Sequence, residues 1–138
     1  MTNDFIGLFN TRLAKDTDKN FVLATFLRGL YYGESLFSEM PKDLFMNKYK
    51  HVVQALINDP NTEVVVACLP EDSDVILGYS IVSKNKETLY WVFVKAAWRR
   101  KGVAKSLIAQ NPKYIAHLTK LGSELRYKLP NAKFNPLF

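Results

Sequence analysis

The chain has 138 residues, 48% of them hydrophobic and 23% charged, which is enough for one domain with a buried core. No stretch approaches the roughly 20 apolar residues of a membrane-spanning helix, and the first ten residues lack the pattern of a secretion signal, so we expect no membrane association. The single cysteine, Cys68, excludes an intrachain disulfide, and we expect no metal site and a reducing, cytoplasmic location.

The net charge of +6 is concentrated in the last third of the chain. Residues 1–94 carry nine Lys or Arg and twelve Asp or Glu, whereas residues 95–138 carry ten Lys or Arg and one acid, Glu124. An excess of this size indicates an anionic partner, either a phosphorylated cofactor or a nucleic acid. A solvated basic face is the alternative interpretation.

Two segments with helical spacing of apolar residues lie in the first half of the chain. The first predicts a helix over Phe21–Tyr32, with Asn20 as its N-cap and Gly33 as its end. The second predicts a helix over Lys42–Asn58, which Pro41 precedes.

Three strands are predicted next, over Glu63–Leu69, Val75–Lys84 and Thr88–Val94. The short connections between them favour an antiparallel meander. The third strand is almost wholly apolar, which predicts burial on both of its faces. A helix from Gly102 to Gln110 should follow.

The segment after this helix has two interpretations. Tyr114–Thr119 has the composition of a further strand, which we favour, whereas Lys113–Tyr127 is equally periodic as a helix.

A short basic loop joins the third strand to the helix after it. The strand ends at Val94, and Arg99-Arg100-Lys101-Gly102 leads into the helix. The unpaired N–H groups of a helix start bind anions, and glycine allows the backbone to approach an oxygen closely. Arginine and lysine add charge-assisted contacts to phosphate. The sequence therefore predicts a phosphate-binding loop.

The loop resembles a motif of the GNAT acetyltransferase family, Arg/Gln-x-x-Gly-x-Gly/Ala, at Arg99, Gly102 and Ala104. The resemblance extends over residues 20–110 through the order of helices and strands. It implies a single mixed α/β (α+β) domain over residues 1–138, with a central, mostly antiparallel sheet flanked by helices and a shortened C-terminus. It further implies an N-acyltransferase that uses acetyl-CoA or another acyl-CoA and an amine acceptor that the sequence does not identify.

The resemblance also implies which residues hold the cofactor. The backbone N–H groups of the loop would bind the pyrophosphate, the end of the strand would pair with the pantetheine arm, and an N–H near Val94 would contact the thioester carbonyl. The implied cofactor-binding residues are Phe93, Val94, Arg99, Arg100, Lys101, Gly102, Val103, Ala104 and Lys105.

The catalytic groups depart from the family pattern, because Thr88–Val94 contains no carboxylate to act as general base. Glu87 and His117 are the candidate bases, and Tyr114 is the candidate acid for the thiolate. The end of the first helix, where such folds often contact the acceptor, supplies candidate substrate-binding residues: Arg28, Tyr31 and Tyr32.

Two other classes of function compete with acyl transfer. The basic C-terminal third with its interleaved aromatic residues would suit a nucleic-acid-binding or base-modifying protein. The missing carboxylate and short C-terminus would suit a catalytically inactive interaction module, or a site completed by a second subunit in a homodimer. The chain also resembles short GNAT-like proteins of bacteriophages, at Leu27-Arg28, Ala67–Asp72, Val92–Arg100 and Asn135-Pro136, which would place it in the host cytoplasm.

Overall fold

A computed structural model describes residues 8–108, 112–116 and 133–134. Within these residues, six strands form one sheet in the order of the chain. The strands are β1 Asn10–Leu13, β2 Thr62–Leu69, β3 Asp72–Ser83, β4 Thr88–Val94, β5 Tyr114–Ile115 and β6 Lys133–Phe134. The helices are α1 Lys19–Gly33, α2 Ser35–Ser38, α3 Lys42–Asn58 and α4 Val103–Leu107, and short 3-10 turns span Asp16–Asp18 and Ala96–Trp98.

The strand pairing changes from antiparallel to parallel at the fifth strand. The pairs from β1 to β4 are antiparallel, whereas β5 runs parallel to β4 and β6 runs parallel to β5. This confirms the predicted meander of β2, β3 and β4 and the mixed class with a mostly antiparallel sheet flanked by helices.

Each face of the sheet carries its own apolar core. On one face, α1 and α3 pack Phe26, Leu30 and Phe45 against Tyr79 and Trp91. On the other face, the short helix α4 buries its apolar side chains against β2 and β3, in a smaller cluster of Ala67, Leu77, Val103 and Leu107. The helix that follows the basic loop is therefore anchored on the opposite side of the sheet from α1.

Several element boundaries differ from the predictions. Helix α1 begins at Lys19 rather than Phe21, with Asp18 in place of Asn20 at the N-cap position. Side-chain contacts just before the helix accompany this start: the Arg12 guanidinium lies 2.6 Å from the Asp18 carboxylate, and the Lys15 N–H donates to the same carboxylate at 2.7 Å. These contacts bury Asp18, and the hydrogen bond from Arg12 holds the pKa of its carboxyl below the usual range.

The predicted burial of β4 on both faces is wrong. Only Leu89 and Trp91 are buried, and the other residues of the strand are half-buried. The α4 side of β4 is covered by a helix of five residues, which is too short to enclose it. That helix ends at Leu107 rather than at Gln110, because Ile108 adopts an extended conformation.

Other elements were missed or lie partly outside the described residues. Strand β1 and helix α2 have no counterpart among the predictions, and β3 begins at Asp72, three residues before the predicted start at Val75. Cys68 is buried in β2, as expected. Tyr114–Ile115 is a strand and neither Lys113 nor Ala116 is helical, whereas residues 117–127 of the two interpretations lie outside the described residues.

Candidate active site

The outer edge of β4 is the side that does not face β3. The Lys95 N–H donates to the Leu77 carbonyl at 2.8 Å, and the register pairs Phe93 with Tyr79. Because alternate residues of an antiparallel strand direct their backbone groups to opposite edges, Phe93 uses its N–H and C=O on β3. The backbone groups of Val92 and Val94 therefore point to the outer edge.

Strands β4 and β5 are paired only near the beginning of β4 in the described part of the chain. The pairs are Thr88 with Tyr114 and Leu89 with Ile115, and the Ala116 N–H donates to the Leu89 carbonyl at 3.0 Å. Directly after this pairing, β4 contains a bulge, since Ile81 pairs with Trp91 but Val82 pairs with Leu89. A bulge bends the strand that carries it, so β4 turns where its described pairing with β5 stops.

The basic loop begins at the far end of β4 and is connected to it by a side chain. The Arg99 Nε donates to the Val94 carbonyl at 3.2 Å. Arg100 and Gly102 have left-handed backbone conformations, with φ of 63° and 83°. A Cβ built on Gly102 meets no heavy atom within 4 Å, so the space beside this residue is open.

The backbone N–H groups of this loop are candidate donors to a ligand. Among the described residues, none accepts a hydrogen bond from the N–H groups of residues 100–105. Successive N–H groups in a turn with left-handed residues form a concave site for anions. The loop therefore offers donors for an anionic group next to open space.

Cationic side chains surround the same loop. Lys101 Nζ lies 5.2 Å above the Trp98 ring, and Lys95 Nζ lies 5.4 Å above the Phe21 ring. Arg100 and Lys105 are exposed, and no acidic partner is found for either within the described residues. Such groups attract phosphate.

Comparisons with known proteins agree with this geometry. Residues 32–125, more than half of the chain, match the family model described as an acetyltransferase (GNAT) domain. The chain belongs to the GNAT acetyltransferase family. Enzymes of this family are acyl-CoA-dependent N-acetyltransferases that use acetyl-CoA, and this is the class of enzyme to which the chain is assigned.

Solved structures share the fold at low sequence identity. A GNAT-family acetyltransferase of Staphylococcus aureus Mu50 has a TM-score of 0.56 at 15% identity, over 89% of this chain and 81% of that one. A predicted acetyltransferase of Clostridium acetobutylicum, solved with acetyl-CoA, has a TM-score of 0.59 at 13% identity, over 87% of each chain. At these identities the likeness is one of fold. No curated protein matches the sequence.

The loop and the edge of β4 fit a CoA molecule. Unpaired N–H groups and cations suit its pyrophosphate, and the outward backbone groups of Val92 and Val94 suit the amides of its pantetheine arm. Sequence reasoning named Phe93 and Val94, but the backbone of Phe93 pairs with Tyr79 of β3, and it is Val92, which was not named, whose backbone faces outward. The alternation of strand residues would have identified it only once the register with β3 was known.

The candidate catalytic residues Glu87 and Tyr114 lie together at the opposite end of β4 from the loop. The Tyr114 N–H donates to the Glu87 carbonyl at 3.0 Å, and Lys113 Nζ lies 3.2 Å from the Glu87 carboxylate. Thr88 and Val94 are six positions apart, which corresponds to roughly 20 Å along a strand. His117 lies outside the described residues.

The candidate substrate-binding residues lie at the end of α1. Arg28 and Tyr32 are exposed one turn apart on the same side of the helix, and Lys42 Nζ lies 5.2 Å above the Tyr32 ring. Tyr31 is only 7% exposed, and its hydroxyl donates to the Met40 carbonyl at 2.7 Å, which ties α1 to the segment before α3.

Other features of the described residues lie apart from this site. A cleft of about 330 Å³ is lined by Leu13, Lys19, Ile57 and Glu63 at the β1–β2 edge, away from the loop. We do not assign this cleft as the binding site, because the N–H groups and cations of the loop lie elsewhere. Within the described ranges, no cluster of three or more His, Cys, Asp or Glu could hold a metal ion, and no helix is long and apolar enough to cross a membrane.

Proposed function

We propose that this chain transfers an acetyl group from acetyl-CoA to an amine, with the pyrophosphate bound by the loop Arg99–Lys105. The observation that carries the proposal is the continuity between the outward edge of β4 and a loop whose N–H groups at residues 100–105 have no acceptor among the described residues. Acetyl-CoA supplies an activated thioester carbonyl, and the chain supplies the groups that hold it.

In this proposal β4 binds the pantetheine arm as an added strand. Val92 offers an outward N–H and C=O, and Val94 offers an outward N–H while its carbonyl accepts from Arg99 Nε. These groups are spaced by one pleat, the spacing with which a neighbouring strand pairs. An outward N–H of β4 beside the thioester would also donate to the developing oxyanion of its carbonyl, which lowers the barrier to acyl transfer. The backbone, rather than a side chain, provides these contacts.

The direction of the arm brings it towards the candidate catalytic residues. With the phosphates at the loop, an arm paired to β4 runs from Val94 back towards Thr88. Its reactive end therefore approaches the bulge of β4 and the end where Glu87 and Tyr114 lie. We propose Glu87, through a water molecule, or His117 as general base, and Tyr114 as the acid that protonates the leaving thiolate.

The acceptor amine is proposed to approach from the end of α1. Phe21 on this helix contacts Phe93, with ring centroids 6.0 Å apart, so the helix borders β4 near the loop. Arg28 and Tyr32 follow on the exposed side of α1 and are proposed to contact the acceptor. Tyr31 is proposed to support Tyr32 through their ring contact at 5.0 Å.

Turnover measurements against pH test this assignment. We expect release of free CoA thiol from acetyl-CoA that depends on an added amine, in a screen of acceptor amines. A general base must be unprotonated, so the rate should fall as pH drops below its pKa, which for an unperturbed histidine is about 6.5. A rate that instead rises with pH towards the pKa of the amine would indicate deprotonation by solvent.

The variant His117→Ala separates the candidate bases. If His117 is the base, the rate should fall by roughly 10²–10⁴-fold and the histidine limb of the pH profile should disappear. His51→Ala is the matched control, because His51 is exposed in the middle of α3. Unchanged turnover and pH profile in His117→Ala would contradict the role of His117 and leave Glu87 or solvent.

A further inference from the structure

We propose that Ser80 is a positioning residue of the cofactor loop, acting through helix α4. This inference rests on the proposed function of the loop. Ser80 is a polar residue with no exposed surface, in the middle of strand β3. Its hydroxyl donates to the carbonyl of Leu107 at 2.7 Å. The two residues are 27 positions apart in the chain.

The carbonyl of Leu107 needs this partner. Leu107 is the last residue of α4, and the final carbonyls of a helix have no hydrogen-bond donor within the helix. Leu107 is also buried, and Ile108 turns away in an extended conformation. A buried carbonyl without a donor is costly, so the Ser80 hydroxyl fixes the place where α4 ends.

Gly78 provides the second contact surface for α4 on β3. Gly78 and Ser80 lie on the same face of the strand, about 7 Å apart. Val103 and Leu107 lie one helical turn apart, about 6 Å along the axis of α4. A Cβ on Gly78 would come within 3.4 Å of Val103 Cγ1, so the beginning of α4 sits over Gly78 while its end is held by Ser80.

These contacts of α4 with Gly78 and Ser80 determine where the loop can lie. The loop is connected on one side to the end of β4, where Arg99 Nε donates to the Val94 carbonyl, and on the other side to α4. A helix of five residues has little stability of its own. Its position, and with it the orientation of the N–H groups of residues 102–105, therefore depends on the contacts with Gly78 and Ser80.

Ser80→Ala and Tyr79→Phe form a matched pair of variants. Each removes one buried hydroxyl from neighbouring residues of β3. The Tyr79 hydroxyl faces the other core, where it lies 2.7 Å from Thr25 Oγ1 and donates to the Val22 carbonyl at 3.1 Å. A purely structural loss should therefore appear in both variants, whereas a loss of loop position should appear only in Ser80→Ala.

Amide hydrogen exchange and CoA titration of the intact chain provide the test. For Ser80→Ala we expect the amides of Ser106 and Ile108 to exchange about tenfold faster without ligand, and the Kd for CoA to rise about tenfold. Tyr79→Phe should leave both values unchanged. Ser80→Cys, which keeps the size but donates weakly, should lie between the two.

Equal effects of Ser80→Ala and Tyr79→Phe on exchange in α4 would overturn the inference, as would unchanged exchange in Ser80→Ala. Failure of the unmodified protein to bind CoA would instead overturn the proposed function. The exchange measurement distinguishes these results, because it is made without CoA and depends only on how firmly α4 is held against β3.

Discussion

Replacing Gly102 with valine is expected to abolish detectable CoA binding while the protein remains folded. Gly102 has φ of 83°, a conformation that costs other residues about 1–2 kcal/mol, and most for β-branched ones. Relief of this strain would rotate the N–H groups of Val103 and Ala104 away from the anion. A Cβ on Gly102 would meet no heavy atom within 4 Å, so the cost in the free protein is backbone strain rather than a steric clash.

The expected measurement is a rise in Kd for CoA of at least about 100-fold, with circular dichroism unchanged and Tm lowered by only a few degrees. Gly102→Asn is the control, because asparagine adopts the left-handed conformation more readily than other residues. We expect it to retain more affinity than Gly102→Val. Wild-type affinity in Gly102→Val would show that the loop does not bind the phosphates.

Gly78→Ala is expected to have the largest effect on stability of any single methyl addition at the described glycines. Its Cβ would lie 2.5 Å from the Phe93 carbonyl oxygen and 3.2 Å from Val94 Cα. These are backbone atoms, so the end of β4 must move rather than a side chain. Such overpacking typically costs about 1–3 kcal/mol, and here it also displaces the edge proposed to bind pantetheine.

Denaturant unfolding should show this loss for Gly78→Ala, and the remaining folded protein should bind CoA more weakly. Gly33→Ala is the control, since it adds the same methyl group at the end of α1, where φ is not positive. It should change stability by less than about 1 kcal/mol. Normal stability and normal CoA affinity in Gly78→Ala would contradict the close approach of β3 and β4.

Local patterns were sufficient where breakers clearly bound an apolar segment. The helix Lys42–Asn58 and the strand Thr88–Val94 have the bounds that were predicted, because their apolar spacing is regular and clear breakers flank them. The start of α1 was predicted incorrectly because it depends on Arg12, six residues away from Asp18 on a strand that the sequence did not indicate. A side-chain contact of this kind leaves no periodic signal in the sequence.

The proposed site is predicted from sequence only in part. The loop at Arg99–Lys105 follows from charge, glycine and the flanking elements. Val92 was not predicted, because the outward direction of its backbone groups depends on the register of β3 and β4. Gly78 and Ser80 carried a signal that was not used: a glycine and a serine two residues apart in an apolar strand indicate close packing on one face.

The measurement that tests the central claim most directly is the thermal stability of the unmodified protein during titration with CoA, compared with pantetheine, which lacks the phosphates. A ligand that binds only the folded state stabilises it by about 2.7 kcal/mol at 100 times its Kd, which raises the Tm by several degrees. We predict a rise that grows with the logarithm of CoA concentration and is much smaller for pantetheine. An unchanged Tm at millimolar CoA would contradict the account.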